Sequence, residues 1–210
     1  MSVEITWIGH ASFRIAGSES VVYIDPWKLK GDPHDADLVI VSHSHFDHCS
    51  PQDVVGVSKD GTAVLAPAET TPKLKTATAV SPGERTAIND VTIEAVAAYN
   101  VGKTFHAKGQ CWIGAVITID GKRIYYAGDT DLIDEMKDLK DIDLALLPVG
   151  GTYTLDAAEA AMACETIGCK AAIPYHWGDV VGGIEDAQAF VKKAGSCQGR
   201  LLQPGESMAI

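Results

Sequence analysis

The chain has 210 residues, of which 46% are hydrophobic and 21% charged, with a formal net charge of −11. This length fits a single domain over residues 1–210. The acidic balance disfavours a nucleic-acid partner, which needs clustered basic side chains. The sequence lacks the run of about 18 apolar residues that a membrane span needs. It also lacks a signal-peptide pattern and a disulfide framework for its five cysteines, which predicts a cytoplasmic protein with reduced thiols.

The first third of the chain alternates short strands with turns. Alternating or continuous apolar runs predict strands at residues 3–8, 12–15, 20–24, 37–41 and 63–66. Ser50 followed by Pro51 has the pattern of an N-cap and a first helical position, which predicts a helix over 51–57. A second helix is predicted over 67–75.

A second group of strands follows, and most of the helices with it. Strands are predicted at 91–98, 112–119, 122–127, 143–149, 171–174 and 201–202. Helices are predicted at 132–139, 156–167 and 184–194. Asp131 is interpreted as the cap of the first of these helices and Asp156 as the cap of the second. Two sets of strands, each followed by helices, predict an α/β protein with a four-layer αββα sandwich.

The densest chemical feature is a run of six residues with four candidate metal ligands: His43, His45, Asp47 and His48. Neutral imidazole and carboxylate are ligands that zinc, manganese and iron(II) accept. His43 and His45 are two residues apart, so an extended chain points both to one side. Asp47 and His48 follow after the chain turns, which favours two metal ions over one. A solvated loop is the alternative, and it is disfavoured because neutral histidines seldom cluster without a ligand role.

Three further residues are candidate ligands. His176 and Asp129 each follow a predicted strand, as the cluster does, and His106 lies in a loop before another strand. A carboxylate such as Asp129 bridges two cations by supplying negative charge between them. The set then divides into three ligands for one cation, three for the other and one shared residue: His43, His45 and His106; Asp47, His48 and His176; and Asp129.

The order of these residues resembles that of the metallo-β-lactamase-fold metal-dependent hydrolases. The match consists of the His-x-His-x-Asp-His run at 43–48, then His106, Asp129 within Gly-Asp-Thr, and His176. The segments at 7–12 and 25–27 narrow the resemblance to the branch that contains L-ascorbate-6-phosphate lactonase. The resemblance covers nearly the whole chain and implies an αββα fold with a dinuclear site along one edge of the sandwich.

The resemblance also implies roles for individual residues. Asp25 would hydrogen-bond a ligand histidine and fix its tautomer. Asp47 would orient the nucleophile as well as bind metal. His10 would lie near the mouth of the site, as a substrate contact or proton donor; the alternative is a histidine that satisfies the hairpin backbone. His34 is interpreted as a surface residue.

The expected activity is hydrolysis of a small-molecule substrate by a hydroxide that bridges two divalent metal ions. Zinc is the first expectation, and manganese or iron(II) are alternatives because a His/Asp set accepts all three. Ester, lactone and phosphodiester bonds all suit such a centre, and the residues leave this choice open. A small substrate is favoured, with an anionic one among the options.

Two other protein classes share parts of this pattern. A di-iron redox protein is disfavoured, because relatives of that kind carry glutamate where this chain has His45 and also have a flavin domain. A non-catalytic metal-binding scaffold is disfavoured by the complete ligand set. The sequence leaves a homo-oligomer open, and Trp27 and Trp177 would line a pocket, line an interface or pack in the core.

Overall fold

The computed structural model describes residues 2–210 and contains two seven-stranded sheets. In chain order the strands are β1 (Glu4–Gly9), β2 (Ser12–Ala16), β3 (Val21–Ile24), β4 (Ala36–Ile40), β5 (Ser58–Ala66), β6 (Ala77–Ala79), β7 (Arg85–Ile88), β8 (Val91–Ala97), β9 (Ile113–Ile119), β10 (Lys122–Tyr126), β11 (Leu144–Pro148), β12 (Ala171–Tyr175), β13 (Gln198–Gly199) and β14 (Ser207–Ala209). The helices are α1 (Pro51–Val57), α2 (Ala157–Ile167) and α3 (Ile184–Lys193). Within residues 2–210, every helix is too short or too polar to cross a bilayer.

Each half of the chain builds one sheet, and the last strand returns to the first sheet. The orders are β14-β1-β2-β3-β4-β5-β6 and β13-β12-β11-β10-β9-β8-β7. An apolar core that includes Phe13 and Ile117 fills the space between the sheets. α1 packs on the outside of the first sheet through Val54 and Val57, while α2 and α3 pack together against the second sheet. The predicted αββα sandwich is therefore confirmed.

The end of strand β4 and the position after it, residues 38–41, are apolar throughout. Leu38 and Ile40 belong to the core between the sheets, whereas Val39 and Val41 pack with α1. Successive side chains of a strand point to opposite faces, so a strand covered on both faces needs apolar residues at every position. None of the four is more than 1% exposed. This central strand leads directly into the segment that begins at His43.

The strands that precede the candidate ligands end on one edge of each sheet. β3 and β4 are parallel, and β1 shares their direction because β1 and β3 are both antiparallel to β2. In the second sheet β10, β11 and β12 are parallel, and β8 shares their direction because β8 and β10 are both antiparallel to β9. The carboxyl ends of six strands therefore supply the loops of the candidate site: β1, β3, β4, β8, β10 and β12.

Three predicted elements are wrong or much shorter than expected. Residues 67–75 contain only a 3-10 turn at Thr71–Lys73, where a proline removes a helical hydrogen-bond donor. Residues 132–139 contain only a 3-10 turn at Asp134–Asp138. Residues 201–202 are not in a strand. The sequence reasoning also misses β6, β7, β13 and β14, which lie at the sheet edges and carry few buried side chains.

The reactivity of the five cysteines provides a direct test of which side chains are buried. All five are free thiols, and four are buried, whereas Cys111 is exposed. Burial raises the pKa of the Cys49 thiol to about 11, and a thiol of high pKa reacts slowly because the thiolate is the nucleophile. We expect a chromogenic disulfide reagent to titrate one thiol rapidly in the native protein and the rest only after unfolding. Cys111→Ser should remove the rapid reaction; two or more rapid thiols in the parent would contradict the buried positions.

Candidate metal centre

The edge where these strands end brings the predicted ligands into two groups. The first group contains His43, His45 and His106. The second contains Asp47, His48, His176 and also His10. Within each group, one side-chain ligand atom of every residue lies within 4.8 Å of the others. The two groups coincide with the division predicted from the sequence, apart from the addition of His10.

Asp129 lies between the two groups. Its Oδ2 is 3.3 Å from Nε2 of His106 and 3.2 Å from Nε2 of His176. Its Oδ1 is 3.3 Å from Nε2 of His48. Oδ2 also lies 3.9 Å from Nε2 of His43. One carboxylate therefore contacts members of both groups, which is the position expected of a bridging ligand.

Several buried polar atoms at this point have no hydrogen-bond partner. They include Nε2 of His48, His106 and His176 and Oδ1 of Asp129. These atoms lie close to one another but not in hydrogen-bonding geometry. A buried polar atom without a partner costs about 1–3 kcal/mol, so its presence in a native structure needs an explanation such as a bound ion. The donor atoms that converge here fit divalent cations.

Burial keeps His43 and His45 of the first group neutral. It lowers the pKa of His43 well below the ordinary value, and the neighbouring His48 lowers it further. It also lowers the pKa of His45, with a further contribution from His106. A neutral imidazole has a lone pair for a cation, whereas a protonated one has none. His43 and His45 are therefore ready to bind metal at neutral pH.

The carboxylates of the site stay ionised despite their burial. Burial by itself raises the pKa of Asp129, but His176 and His48 hold it well below its usual range. Burial also raises the pKa of Asp47, but the hydrogen bond from His10 and the nearby His48 together lower it below its usual value. Burial lowers the pKa of His48, but the carboxylates of Asp129 and Asp25 raise it well above its ordinary value. Metal binding at His48 would therefore displace a proton.

Asp25 supports the metal-ligand segment from inside the fold. Its carboxylate accepts hydrogen bonds from the backbone N–H of Ser42 at 2.7 Å and from the Ser42 hydroxyl at 2.5 Å. It also accepts from Nδ1 of His48 at 2.7 Å and from the hydroxyl of Tyr126 at 2.6 Å. Once His48 is neutral, its contact with Asp25 keeps the proton on Nδ1 and so leaves Nε2 free. Asp25 thus contacts a candidate ligand as the resemblance implied.

Asn100 and Asp131 hold the loop that carries His106. Nδ1 of His106 lies 2.8 Å from Oδ1 of Asn100, whose amide donates to Asp131 at 3.1 Å. Asp131 also accepts from the backbone N–H of Val101 and from Lys103. The prediction that Asp131 caps a helix is therefore wrong. Sequence reasoning missed its role because no local pattern links side chains 31 positions apart.

His10 lies deeper than the sequence analysis expected. It is only 4% exposed, and its Nε2 is 3.0 Å from Oδ2 of Asp47. Burial lowers its pKa, so His10 is neutral and donates a hydrogen bond to Asp47. The expectation that His10 lies at the mouth is wrong, because other residues line the opening. His34 is exposed, as expected, and contacts the backbone carbonyl of Ser58.

Four residues of the site have left-handed backbone. His10, Asp25, His106 and His176 have φ values of 46°, 43°, 51° and 63°. This left-handed region costs a residue other than glycine about 1–3 kcal/mol. Gly128 directly precedes Asp129, has φ 68°, and would place a Cβ 2.8 Å from a neighbouring carbonyl oxygen. The surrounding structure therefore fixes the backbone from which these side chains project.

Comparison with known proteins places the chain in a family. A model described as a beta-lactamase superfamily domain matches residues 4–176. The chain belongs to the β-lactamase superfamily. A relative from Methanosphaerula palustris, named a UPF0173 metal-dependent hydrolase, is 34% identical over 99% of this chain and 100% of its own length.

Two solved structures resemble this superfamily member closely. A protein of Parabacteroides distasonis, provisionally described as a metal-dependent hydrolase, has 32% identity and a TM-score of 0.86, covering 96% of this chain and 94% of its own. A metallo hydrolase from Ignicoccus hospitalis has 25% identity and a TM-score of 0.83, covering 100% of this chain and 99% of its own. The narrower resemblance to the lactonase branch stays a prediction.

Proposed function

We propose that the chain is a dinuclear metal-dependent hydrolase. The observation that carries this proposal is the position of Asp129, whose two oxygens contact histidines of both ligand groups. The hydrolase names of the relatives support the same class. Three residues would hold each cation and Asp129 would bridge them: His43, His45 and His106 for the first, and Asp47, His48 and His176 for the second. Zinc is the first candidate, followed by manganese and iron(II).

Two divalent cations, when bound, would supply an activated water and offset the negative charge that develops on an attacked carbonyl or phosphoryl oxygen. The chain itself supplies orientation. Asp47 is ionised and lines the cavity together with Asp129, so it would align the attacking water as well as bind metal. His10 would act through Asp47, because its hydrogen bond fixes that carboxylate. The cavity measures about 200 Å³, which suits a small ester, lactone or phosphodiester.

Replacement of His45 by alanine tests the proposal. His45 is partly exposed, so its removal should leave the fold intact while it deletes one ligand. Replacing a residue that hydrogen-bonds a metal ligand typically lowers metal affinity or activity by about 10–100-fold. Loss of a ligand itself should therefore lower kcat/KM by at least about 100-fold. The measurement is hydrolysis of ester, lactone and phosphodiester panels, with thermal melting as the check on folding.

His34→Ala is the matched control, because it removes an exposed histidine outside the site. It should keep the parent's rate. Undiminished turnover in His45→Ala would refute the ligand assignment. Absence of hydrolysis in the parent across all three panels, after each candidate metal is supplied, would refute the hydrolase itself.

A further inference from the structure

The opening of the metal centre is bordered mainly by apolar side chains. Phe46, Phe105, Tyr153 and Val180 surround the cavity together with the candidate ligands. Phe46 is 67% exposed, Phe105 45% and Val180 40%. Single exposed apolar residues are ordinary on a protein surface, but several around one cavity mark a binding surface. The substrate therefore meets phenyl rings before it meets the carboxylates beneath them.

These aromatic side chains are held in place by other rings. Phe105 meets Tyr153 edge to face, with the ring centroids 4.8 Å apart and the planes at 85°. Phe46 meets Trp27 in the same manner, at 5.8 Å and 76°. Edge-to-face pairs are a favoured aromatic arrangement and stabilise the positions of both side chains. The apolar border is thus formed in the protein before a substrate arrives.

The lysines around the opening are engaged with other groups. Lys28 binds both carboxylate oxygens of Asp179. Lys103 donates to Asp131 and to two backbone carbonyl oxygens, which uses all three of its ammonium hydrogens. Lys73 donates to the backbone carbonyl of Ser44. Across residues 2–210, no lysine or arginine borders the cavity, so this border offers no cationic side chain to a charged group of the substrate.

We propose that the site takes a neutral ester or lactone that carries a small aliphatic or aromatic group, packed against Phe46 and Phe105. The inference rests on the proposed hydrolase and narrows its substrate. A phosphate or carboxylate held at this border would lose water contacts without gaining a basic partner. We therefore favour a neutral substrate over an anionic one. The cavity is smaller than the roughly 300 Å³ at which drug-sized pockets begin, so the apolar group is small.

The reaction on such a substrate is an addition of water across the acyl C–O bond. A new bond forms between the carbonyl carbon and the water oxygen, and the bond from that carbon to the alcohol or ring oxygen breaks. The departing oxygen takes a proton from the water. An ester thus gives an acid and an alcohol, and a lactone gives one hydroxy acid.

A series of lactones that differ only in alkyl length tests the proposal. γ-Butyrolactone, γ-hexalactone and γ-octalactone should show kcat/KM rising about fourfold per added CH₂ until the cavity is full, from the usual value of a buried methylene. Phe46→Ala and Phe105→Ala should flatten this dependence. Val180→Ala should weaken it, whereas Val55→Ala, an equal change at an exposed position outside the cavity, should leave it unchanged.

A binding measurement separates this inference from the proposed function. 2-Alkyltetrahydrofurans have no carbonyl group to hydrolyse, and calorimetry would report their affinity for the metal-free protein. Affinity that rises with alkyl length, and is lost in Phe105→Ala, would support the apolar site. If no lactone or ester were turned over in the same protein, the absence of turnover would refute only the hydrolase. Hydrolysis without dependence on alkyl length, or a preference for a phosphorylated substrate, would overturn the neutral apolar assignment and leave the hydrolase standing.

Discussion

Asparagine in place of Asp129 is expected to lower the metal content of both halves of the centre and to reduce kcat/KM by at least about 10³-fold. The amide keeps the size of the side chain but removes the negative charge that contacts His48, His106 and His176. Metal ions typically contribute several kcal/mol of transition-state stabilisation, and each 1.36 kcal/mol is about tenfold in rate. The measurements are bound metal per chain and kcat/KM on the same preparation.

Asp134→Asn is the matched control for this change, because the Asp134 side chain is 90% exposed on a surface turn. It should retain both the metal content and the rate of the parent. Thermal melting of the metal-free proteins would show whether Asp129→Asn still folds. A folded Asp129→Asn protein with the parent's metal content and turnover would contradict the bridging role.

Alanine in place of Asp25 is expected to lower the free energy of unfolding by about 3–5 kcal/mol, the usual cost of removing one partner of a buried charged pair. The carboxylate is fully buried and accepts from Ser42, His48 and Tyr126. Alanine would leave these donors without an acceptor, and it tolerates the left-handed backbone at position 25 less well than aspartate. Urea unfolding of the metal-free protein measures the effect, because bound metal would itself add stability.

The same substitution should weaken metal binding by about 10–100-fold, the usual range for partners behind a ligand histidine. Asp25→Asn is the control, since asparagine keeps one acceptor oxygen and adopts left-handed backbone readily; it should lose less stability than alanine. A change in unfolding free energy within about 0.5 kcal/mol in Asp25→Ala, the range of ordinary surface substitutions, would contradict the supporting role of this carboxylate.

The fold could be predicted where burial leaves a clear mark in the sequence. Residues 38–41, the end of β4 and the position after it, are apolar because they are covered on both faces, and α2 carries its cap at Asp156. The failures have physical causes as well. β6 and β7 bury few side chains at the sheet edges, so their sequences resemble loops. Residues 67–75 and 132–139 have helix-like patterns, yet only short 3-10 turns form there.

The candidate ligands could be predicted because they follow strand ends and four of them fall within six residues. Their supporting partners could not, because these contacts join distant parts of the chain. Tyr126 reaches Asp25 across 101 positions and Asp131 reaches Asn100 across 31. The depth of His10 depends likewise on how the two sheets meet. Local patterns therefore predict the residues that bind, whereas the fold determines what orients them.

The number of divalent cations bound per chain tests the dinuclear centre most directly. Elemental analysis would be made on protein purified without chelator and again after chelation and return of zinc, manganese or iron(II). The account predicts about two cations per chain, with hydrolysis that chelator abolishes and metal restores, and a lower content in His45→Ala. One cation or none in the reconstituted parent, together with no hydrolysis, would contradict it.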